Sequence, residues 1–358
     1  MKRPAARSRR GRWLGLGAVM LAASACATAP PAPEAPAAPP PRAQAPAAAA
    51  RPVEAPLAEV FESERLILAF ARAGDTPATL AARYLGDAAR AWMIEDYNGA
   101  SSFTAGQEVI IPKRDWNLAG VEPAGYQLVP ILVYHNLAPE AKGRMVLAAR
   151  AFEEQMRYLK AQGYRVVSLR DFVEFARLRR QLPRKSVVLT FDDGYKAFKQ
   201  YAYPLLKELG FTATLFVYTD YVGVSRNALS WSELRELAAD GFDVEAHSKT
   251  HGDLRRTPGE PDAQFTRRMQ TELELPRTLF EKNLGKAPTF LAYPYGGTDE
   301  DVARKVREYG YVAAFTVRRE GNPSFVFPLR AHRSQIYAEM TLQDFIKNLN
   351  VLHEEELK

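Results

Sequence analysis

"SVVLTFDDGYKAF", residues 186–198, combines a strand pattern with two adjacent acids. An apolar and β-branched run leads directly into two adjacent carboxylates and a glycine. A continuous apolar run is typical of a strand covered on both faces, as in a parallel sheet or barrel. Neighbouring carboxylates repel each other and are costly to desolvate. Asp192 and Asp193 therefore indicate a bound cation, or a division of labour, at the end of this strand.

Similar runs alternate with helical patterns from Tyr126 to the end of the chain, which predicts repeated βα units and an α/β fold. The predicted strands are LVPILVYH, YRVVSL, SVVLTFDD, TATLFVY, FDVEAHS, TFLAYPY, YVAAFTV and RSQIY. Reactive groups in parallel α/β folds collect at the carboxyl ends of strands. Four predicted strands end in unusual residues: Tyr134 and His135, Asp192 and Asp193, His247 with His251, and the YPYGG segment from Tyr293.

The segment "EAHSKTH", residues 245–251, has the spacing of a metal site. His247 and His251 are four residues apart, so on a helical turn both imidazoles face one way and can share a metal ion. Asp193 from a neighbouring strand would be the third ligand. Three protein ligands leave one position open, which is the catalytic arrangement. The alternative is a pair of surface histidines after a strand.

Asp192 then has a different task from Asp193. The field of the cation keeps the second carboxylate ionised and able to accept a proton from water, so we predict that Asp192 is the general base. Adjacent side chains on a strand point in different directions, and a bend at Gly194 would aim both carboxylates at one pocket.

The motifs "TFDDG", "HSKTH" and "YPYG" closely resemble those of polysaccharide deacetylases of the NodB-homology type, carbohydrate esterase family 4. The resemblance implies a distorted (β/α) barrel with fewer than eight strands and metal-dependent hydrolysis of N-acetyl groups in amino-sugar polymers. It makes Asp192 the base and the backbone N–H of Tyr295 a donor to the oxyanion. It also implies a metal bound by Asp193, His247 and His251. This ligand set suits Zn²⁺, and Co²⁺ or Ni²⁺ would also fit.

The third motif departs from the family pattern, because Ala292 stands where an arginine usually orients the base. The branch that acts on exported poly-N-acetylglucosamine resembles this chain more closely, since it lacks that arginine and carries an early Tyr-His pair. In that branch the early histidine is the general acid. The resemblance therefore points to His135 as the proton donor, with His332 as the runner-up.

A smaller unit, residues 57–116, precedes the catalytic domain, which we assign to residues 126–358. Its pattern predicts the order strand, helix, helix, strand. The segments "AGDTPATLAARY" and "TAGQEVIIP", together with Asn98, resemble a LysM domain. The resemblance implies binding of N-acetylglucosamine-containing glycans such as peptidoglycan. The alternative is a small spacer fold without a ligand.

The N-terminus, "MKRPAARSRRGRWLGLGAVMLAASAC", has the basic start, short apolar stretch and small-residue end of a signal peptide, assigned to residues 1–25. Its six basic residues equal the net charge of +6, so the mature chain would be neutral, which argues against nucleic acid as a partner. Cys26, the only cysteine, follows "AASA" and resembles a lipobox, so its modification would supply a lipid anchor in a membrane. Ordinary cleavage nearby is the alternative. Residues 26–56, rich in Ala and Pro, are predicted to be a tether.

Together these features predict an exported metal-dependent deacetylase of N-acetylglucosamine-containing polysaccharide. We expect it in the cell envelope as an outer-membrane lipoprotein that faces the periplasm or the surface. Two alternatives remain open: an inactive glycan-binding lipoprotein, and an amidase that cuts peptide from peptidoglycan. The retained Asp192 argues against the binding protein, because glycan binding needs no base. The polymer itself could be peptidoglycan, β-1,6-linked poly-N-acetylglucosamine or a chitin-like chain.

Overall fold

A computed structural model describes residues 60–355. The predicted signal peptide, the tether and Cys26 lie outside the described residues, so these assignments stay predictions. Across residues 60–355 there is no helix with both the length and the apolar character that crossing a membrane requires.

Along the chain, the β-strands are β1 (Phe61–Glu62), β2 (Leu66–Phe70), β3 (Glu108–Pro112), β4 (Val121–Glu122), β5 (Gly125–Gln127), β6 (Ile131–Tyr134), β7 (Asn136–Ala138), β8 (Val146–Ala148), β9 (Arg165–Val166), β10 (Ser186–Asp193), β11 (Thr214–Val217), β12 (Asp243–Ala246), β13 (Phe290–Ala292), β14 (Ala313–Phe315), β15 (Ser334–Gln335) and β16 (Leu352–Glu354). The α-helices are α1 (Pro77–Leu85), α2 (Ala91–Asn98), α3 (Ala149–Ala161), α4 (Leu169–Phe175), α5 (Tyr203–Leu209), α6 (Trp231–Ala239), α7 (Asp262–Met269), α8 (Leu275–Leu284), α9 (Glu300–Glu308) and α10 (Leu342–Ile346).

The first part of the described chain is a small unit. Its strands β2 and β3 pair in antiparallel register, and α1 and α2 come between them in the sequence. Thr76 and Thr79 form a capping box that begins α1, and Gly86 ends the helix in the left-handed conformation. Leu80 and Ile94 from the two helices are fully buried in its core. The predicted order of strand, helix, helix and strand is present, with β1 added at the edge of β2.

The larger part is a curled parallel sheet with the strand order β14-β13-β12-β11-β10-β6-β15. The predicted α/β fold, a (β/α) barrel with fewer than eight strands, is confirmed, because seven strands make up this path and the short β9 only pairs with the beginning of β10. All eight residues of β10 are buried. This explains the continuous apolar pattern of its sequence, since helices cover one face of the strand and the barrel interior covers the other.

The two edge strands, β14 and β15, leave a seam in the barrel. A single parallel bridge, from Phe315 to Ala331, links the two sides of the seam within the described residues. The buried guanidinium of Arg333 adds a second link, because its Nε donates a hydrogen bond to the carbonyl oxygen of Thr316 at 3.1 Å. Near the end of the described chain, residues 352–354 form β16 and pair with β5 in antiparallel register.

The small unit contacts the barrel at the amino ends of its strands. Glu95 on α2 forms an ion pair with Arg165 on β9, and the Asp96 carboxylate accepts a hydrogen bond from the backbone N–H of Arg184 at 2.9 Å. Arg165 pairs with Ser186, the first residue of β10. Asp193 lies at the other end of this strand, about 23 Å away at 3.3 Å per residue.

Candidate metal centre and active site

The predicted site residues meet at the carboxyl end of the barrel. Asp192 and Asp193 end β10, and His247 directly follows β12. His135 directly follows β6, which pairs with β10 so that Tyr134 lies opposite Phe191. Parallel register therefore brings these ends together although the residues are far apart in the sequence.

Three side chains form a group that can hold a metal ion. The ligand atoms of Asp193, His247 and His251 all lie within 4.8 Å of one another. Asp193 Oδ1 is 3.3 Å from His251 Nε2 and 3.6 Å from His247 Nε2. Two ligands of a tetrahedral zinc ion, each at about 2.0 Å from it, are about 3.3 Å apart. The donor set and its spacing therefore fit a divalent cation such as Zn²⁺.

The protonation of this group also favours a cation. Asp193 Oδ1 is buried and has no hydrogen-bond partner within residues 60–355. Burial raises the pKa of Asp193 to about 6 and lowers the pKa of His247 to about 4. A poorly solvated carboxylate beside neutral imidazoles is costly to bury unless a positive charge compensates it. His247 Nδ1 lies 2.8 Å from the carbonyl oxygen of Ala292, which places its proton there and leaves the Nε2 lone pair free for a metal.

The prediction that the two histidines lie on a helical turn was wrong. Residues 247–251 form a loop after β12. The Ser248 hydroxyl accepts a hydrogen bond from the N–H of His251 at 3.1 Å. The buried carboxylate of Glu272 accepts hydrogen bonds from the N–H groups of Lys249 and Thr250, both at 3.0 Å. Side chains therefore satisfy the backbone groups that a helix would have paired, and they hold His251 over the site.

Backbone strain is concentrated at this site. Within residues 60–355, four of the five non-glycine residues with positive φ lie here: Asp193 at 76°, Ser248 at 67°, His251 at 66° and Tyr295 at 58°. Such conformations are costly for residues with a Cβ atom and persist only where the surroundings enforce them. The bend predicted at Gly194, which has φ 87°, thus begins one residue earlier, at Asp193. The bend separates the directions of the two carboxylates.

Asp192 lies in a buried ion pair that the sequence pattern did not predict. Its side chain is 2% exposed and accepts two hydrogen bonds of 2.7 Å from Arg333, which is fully buried. Arg333 also donates to Thr190 Oγ1 at 3.2 Å. Burial raises the pKa of Asp192, but the charges of Arg333 and His247 outweigh it and lower the pKa to about 2. Asp192 is therefore ionised over the whole physiological range.

Arg333 explains why the chain tolerates Ala292 in the third motif. An arginine that holds the base is present, but it directly precedes β15 instead of lying in the YPYG segment. A signal for it existed in the predicted strand "RSQIY", which begins with an arginine. A buried strand can keep an arginine only if a carboxylate pairs with it.

The two candidate proton donors lie in different surroundings. His135 is close to both carboxylates: burial lowers its pKa, and the charges of Asp192 and Asp193 act in the opposite direction. Its Nδ1 is buried and has no hydrogen-bond partner in the described part of the chain. His332 directly precedes Arg333, and its Nδ1 lies 3.3 Å from Glu320. Burial lowers the pKa of His332 and the charge of Glu320 opposes this, whereas neither Asp192 nor Asp193 acts on it, so the ring faces away from Asp192.

Tyrosine rings form a wall beside the metal group. The ring of Tyr295, which is 67% exposed, lies edge-on to His251 with centroids 4.8 Å apart. Tyr218 lies 5.2 Å from His251 on the other side and stacks on Tyr221. Tyr195, directly after the DDG motif, contacts Tyr221 edge-on. The exposed ring of Tyr295 and the half-buried rings beside it offer apolar faces to a sugar ring.

Comparison with known proteins finds relatives of part of the chain. Residues 179–314 match the family described as polysaccharide deacetylase. YxkH of Bacillus subtilis is 27% identical over 204 residues, which cover 57% of this chain and 70% of YxkH. The poly-beta-1,6-N-acetyl-D-glucosamine N-deacetylase of Staphylococcus epidermidis is 28% identical over 178 residues, or 47% of this chain and 60% of that enzyme.

A solved structure shows the same fold. The deacetylase PplD of Streptococcus pyogenes, in complex with acetate, aligns with a TM-score of 0.56 and 22% identity, covering 63% of this chain and 99% of PplD. The family match contains both carboxylates and both histidines of the site, whereas His135 and Arg333 lie outside it. Residues 179–314, which hold these four side chains, are therefore similar to the polysaccharide deacetylase family, whose members are hydrolases that act on carbon–nitrogen bonds.

Proposed function

We propose that this protein removes N-acetyl groups from N-acetylglucosamine units of a polysaccharide, with a divalent metal held by Asp193, His247 and His251. The observation that carries the proposal is the unpaired, buried Asp193 Oδ1, which faces two imidazoles next to a second carboxylate that is fixed by Arg333. The name of the staphylococcal relative supports β-1,6-linked poly-N-acetylglucosamine as the substrate. Zn²⁺ suits the ligands best, although Co²⁺ or Ni²⁺ would also fit.

Each residue of the site then has one task. The bound metal would act as a Lewis acid on the acetamide oxygen and lower the pKa of water. Asp192 takes a proton from the attacking water as its oxygen bonds to the carbonyl carbon. The backbone N–H of Tyr295 donates a hydrogen bond to the oxyanion. When the C–N bond breaks, His135 gives a proton to the leaving nitrogen, and the products are acetate and a glucosamine unit.

The test of this function is acetate release under control of the metal. The purified protein should release acetate from N-acetylglucosamine oligomers, lose this activity on treatment with a chelator and regain it with Zn²⁺. At a free Zn²⁺ concentration of 100 times the dissociation constant, binding should also raise the free energy of unfolding by about 2.7 kcal/mol. Denaturant unfolding with and without Zn²⁺ measures this difference. Zinc binding and glycan binding without acetate release would favour the inactive glycan-binding protein. Peptide release from peptidoglycan without acetate would favour the amidase.

Substitution of His135 by alanine separates the two candidate proton donors. We expect kcat to fall about 10²-fold or more, because a positioned general acid contributes 10²–10⁴-fold. Zinc content should not change, since His135 is not one of the three ligands. The matched control is His332→Ala, which should keep most of its activity because the ring faces away from Asp192. The opposite result, an active His135→Ala and an inactive His332→Ala, would assign the role to His332.

For the rest of the chain we propose export to the cell envelope and a LysM-type interaction with peptidoglycan. The support is the LysM-like sequence and the matching element order in the small unit. This unit sits at the amino ends of the barrel strands, opposite the metal group. A glycan bound there would anchor the enzyme to the wall and would not position the unit that reacts. Lipidation of Cys26 would place the anchor in the outer membrane, and mass spectrometry of the mature N-terminus tests it.

A further inference from the structure

A long cleft of about 1000 Å³ lies on the outside of the barrel, along the seam between β14 and β15. One end of the cleft lies next to the tyrosine rings that flank the metal group. Gly296 lines this end and directly follows Tyr295. A Cβ atom at Gly296 would lie 2.5 Å from the side chain of Val317, so the YPYG segment is pressed against the wall of the cleft. The cleft and the active site therefore share one turn of the chain.

The lower part of the cleft is aromatic and open to solvent. Phe325 is 63% exposed and Phe327 is 48% exposed. Tyr126 contacts Phe325 edge-on at 5.1 Å and stacks on His353 at 4.6 Å. Exposed aromatic side chains grouped in a concave surface of this size are typical of ligand sites. The apolar C–H faces of pyranose rings pack on such rings.

The cleft carries one uncompensated positive charge. Arg318, Arg330 and Lys347 line it but form ion pairs with Glu320, Glu300 and Asp344. Arg319 also lines it and has no acidic partner among residues 60–355. Arg319 is exposed and donates hydrogen bonds to neutral oxygens, those of Asn348 and Gln335. N-Acetylglucosamine is neutral, whereas the amine left after deacetylation takes up a proton. Like charges would therefore disfavour deacetylated units in the cleft.

We propose that this cleft binds a stretch of the same polymer that is still acetylated, and that the uncompensated charge of Arg319 disfavours stretches already deacetylated. The inference rests on the proposed deacetylase function. The polymer would extend from the metal group over Tyr295 and down the seam of the barrel. The cleft thus favours long acetylated substrates and releases the cationic product.

The length dependence of the reaction tests the cleft. Kinetics would be compared for a dimer and a hexamer of β-1,6-linked N-acetylglucosamine. The double variant Phe325→Ala/Phe327→Ala should lower kcat/KM for the hexamer about tenfold, the loss expected from two stacking contacts. The value for the dimer should stay within about twofold, since the substitutions lie outside the catalytic centre. Leu275→Ala, which removes an exposed side chain on α8, should change neither.

Charge is tested by product inhibition. Arg319→Gln removes the one cation of the cleft that has no acidic partner among residues 60–355, and a glucosamine hexamer should then inhibit about threefold more strongly. Lys142→Gln, an exposed lysine elsewhere, is the control. Unchanged hexamer kinetics and unchanged inhibition would contradict polymer binding in the cleft, while acetate release by the parent would still support the deacetylase function. If the parent releases no acetate, the proposed function is wrong. Binding of the acetylated hexamer then tests the cleft by itself. Equal affinities of the parent and the Phe325→Ala/Phe327→Ala variant would contradict polymer binding in the cleft.

Discussion

Asp192→Asn is expected to lower kcat for acetate release by about 10³-fold or more while the protein keeps its zinc. Asparagine has nearly the same shape as aspartate but cannot accept a proton from water at neutral pH, and general base catalysis typically contributes 10²–10⁴-fold. The three proposed ligands are untouched, so the zinc content per chain should match that of the parent. The rate of acetate release and the zinc content should both be measured on the same preparation.

A second effect of Asp192→Asn follows from the buried ion pair. The substitution leaves Arg333 charged, buried and without a carboxylate, and removal of one partner of such a pair costs about 3–5 kcal/mol. Denaturant unfolding should therefore show a less stable protein that is still folded. Activity within tenfold of the parent would mean that another group acts as the base. A complete loss of zinc would mean that Asp192, not only Asp193, binds the metal.

The metal group could be predicted from sequence because its ligands sit in two short motifs. Both carboxylates end a strand whose apolar pattern is continuous, and the HSKTH segment follows another such strand. The conformation of that segment could not be predicted, because the groups that shape it are remote: the carboxylate of Glu272 lies more than twenty residues after Lys249. The four-residue spacing of the histidines suggested a helical turn there, and tertiary hydrogen bonds hold a loop instead.

Arg333 was missed for a related reason. Its partner Asp192 is 141 residues away in sequence, so no local pattern connects the two. The family pattern places an arginine at position 292. In this barrel the guanidinium comes from another part of the chain that lies within reach of the base.

Replacement of Arg333 by methionine is expected to have the largest effect on stability and on pH dependence. The substitution leaves the Asp192 carboxylate buried without its counter-charge, and we expect a loss of about 3–5 kcal/mol in the free energy of unfolding. Arg333 is a main cause of the lowered pKa of Asp192, so this pKa should rise in the variant. The base would then be protonated at higher pH, and the acidic limb of the kcat/KM profile should move towards neutrality.

The matched control is Arg333→Lys, which keeps the charge but cannot make the two parallel hydrogen bonds. In Arg333→Lys the acidic limb of the kcat/KM profile should shift less than in Arg333→Met, and the free energy of unfolding should fall less. In the double variant Asp192→Asn/Arg333→Met no buried charge remains unpaired, so it should be more stable than either single variant although it is inactive. Three pH profiles and one double-mutant cycle thus separate a positioning residue from a merely structural one. If Arg333→Met shows the parent's stability and the parent's acidic limb, the ion pair does not hold the base, and Asp192 owes its ionisation to the metal centre alone.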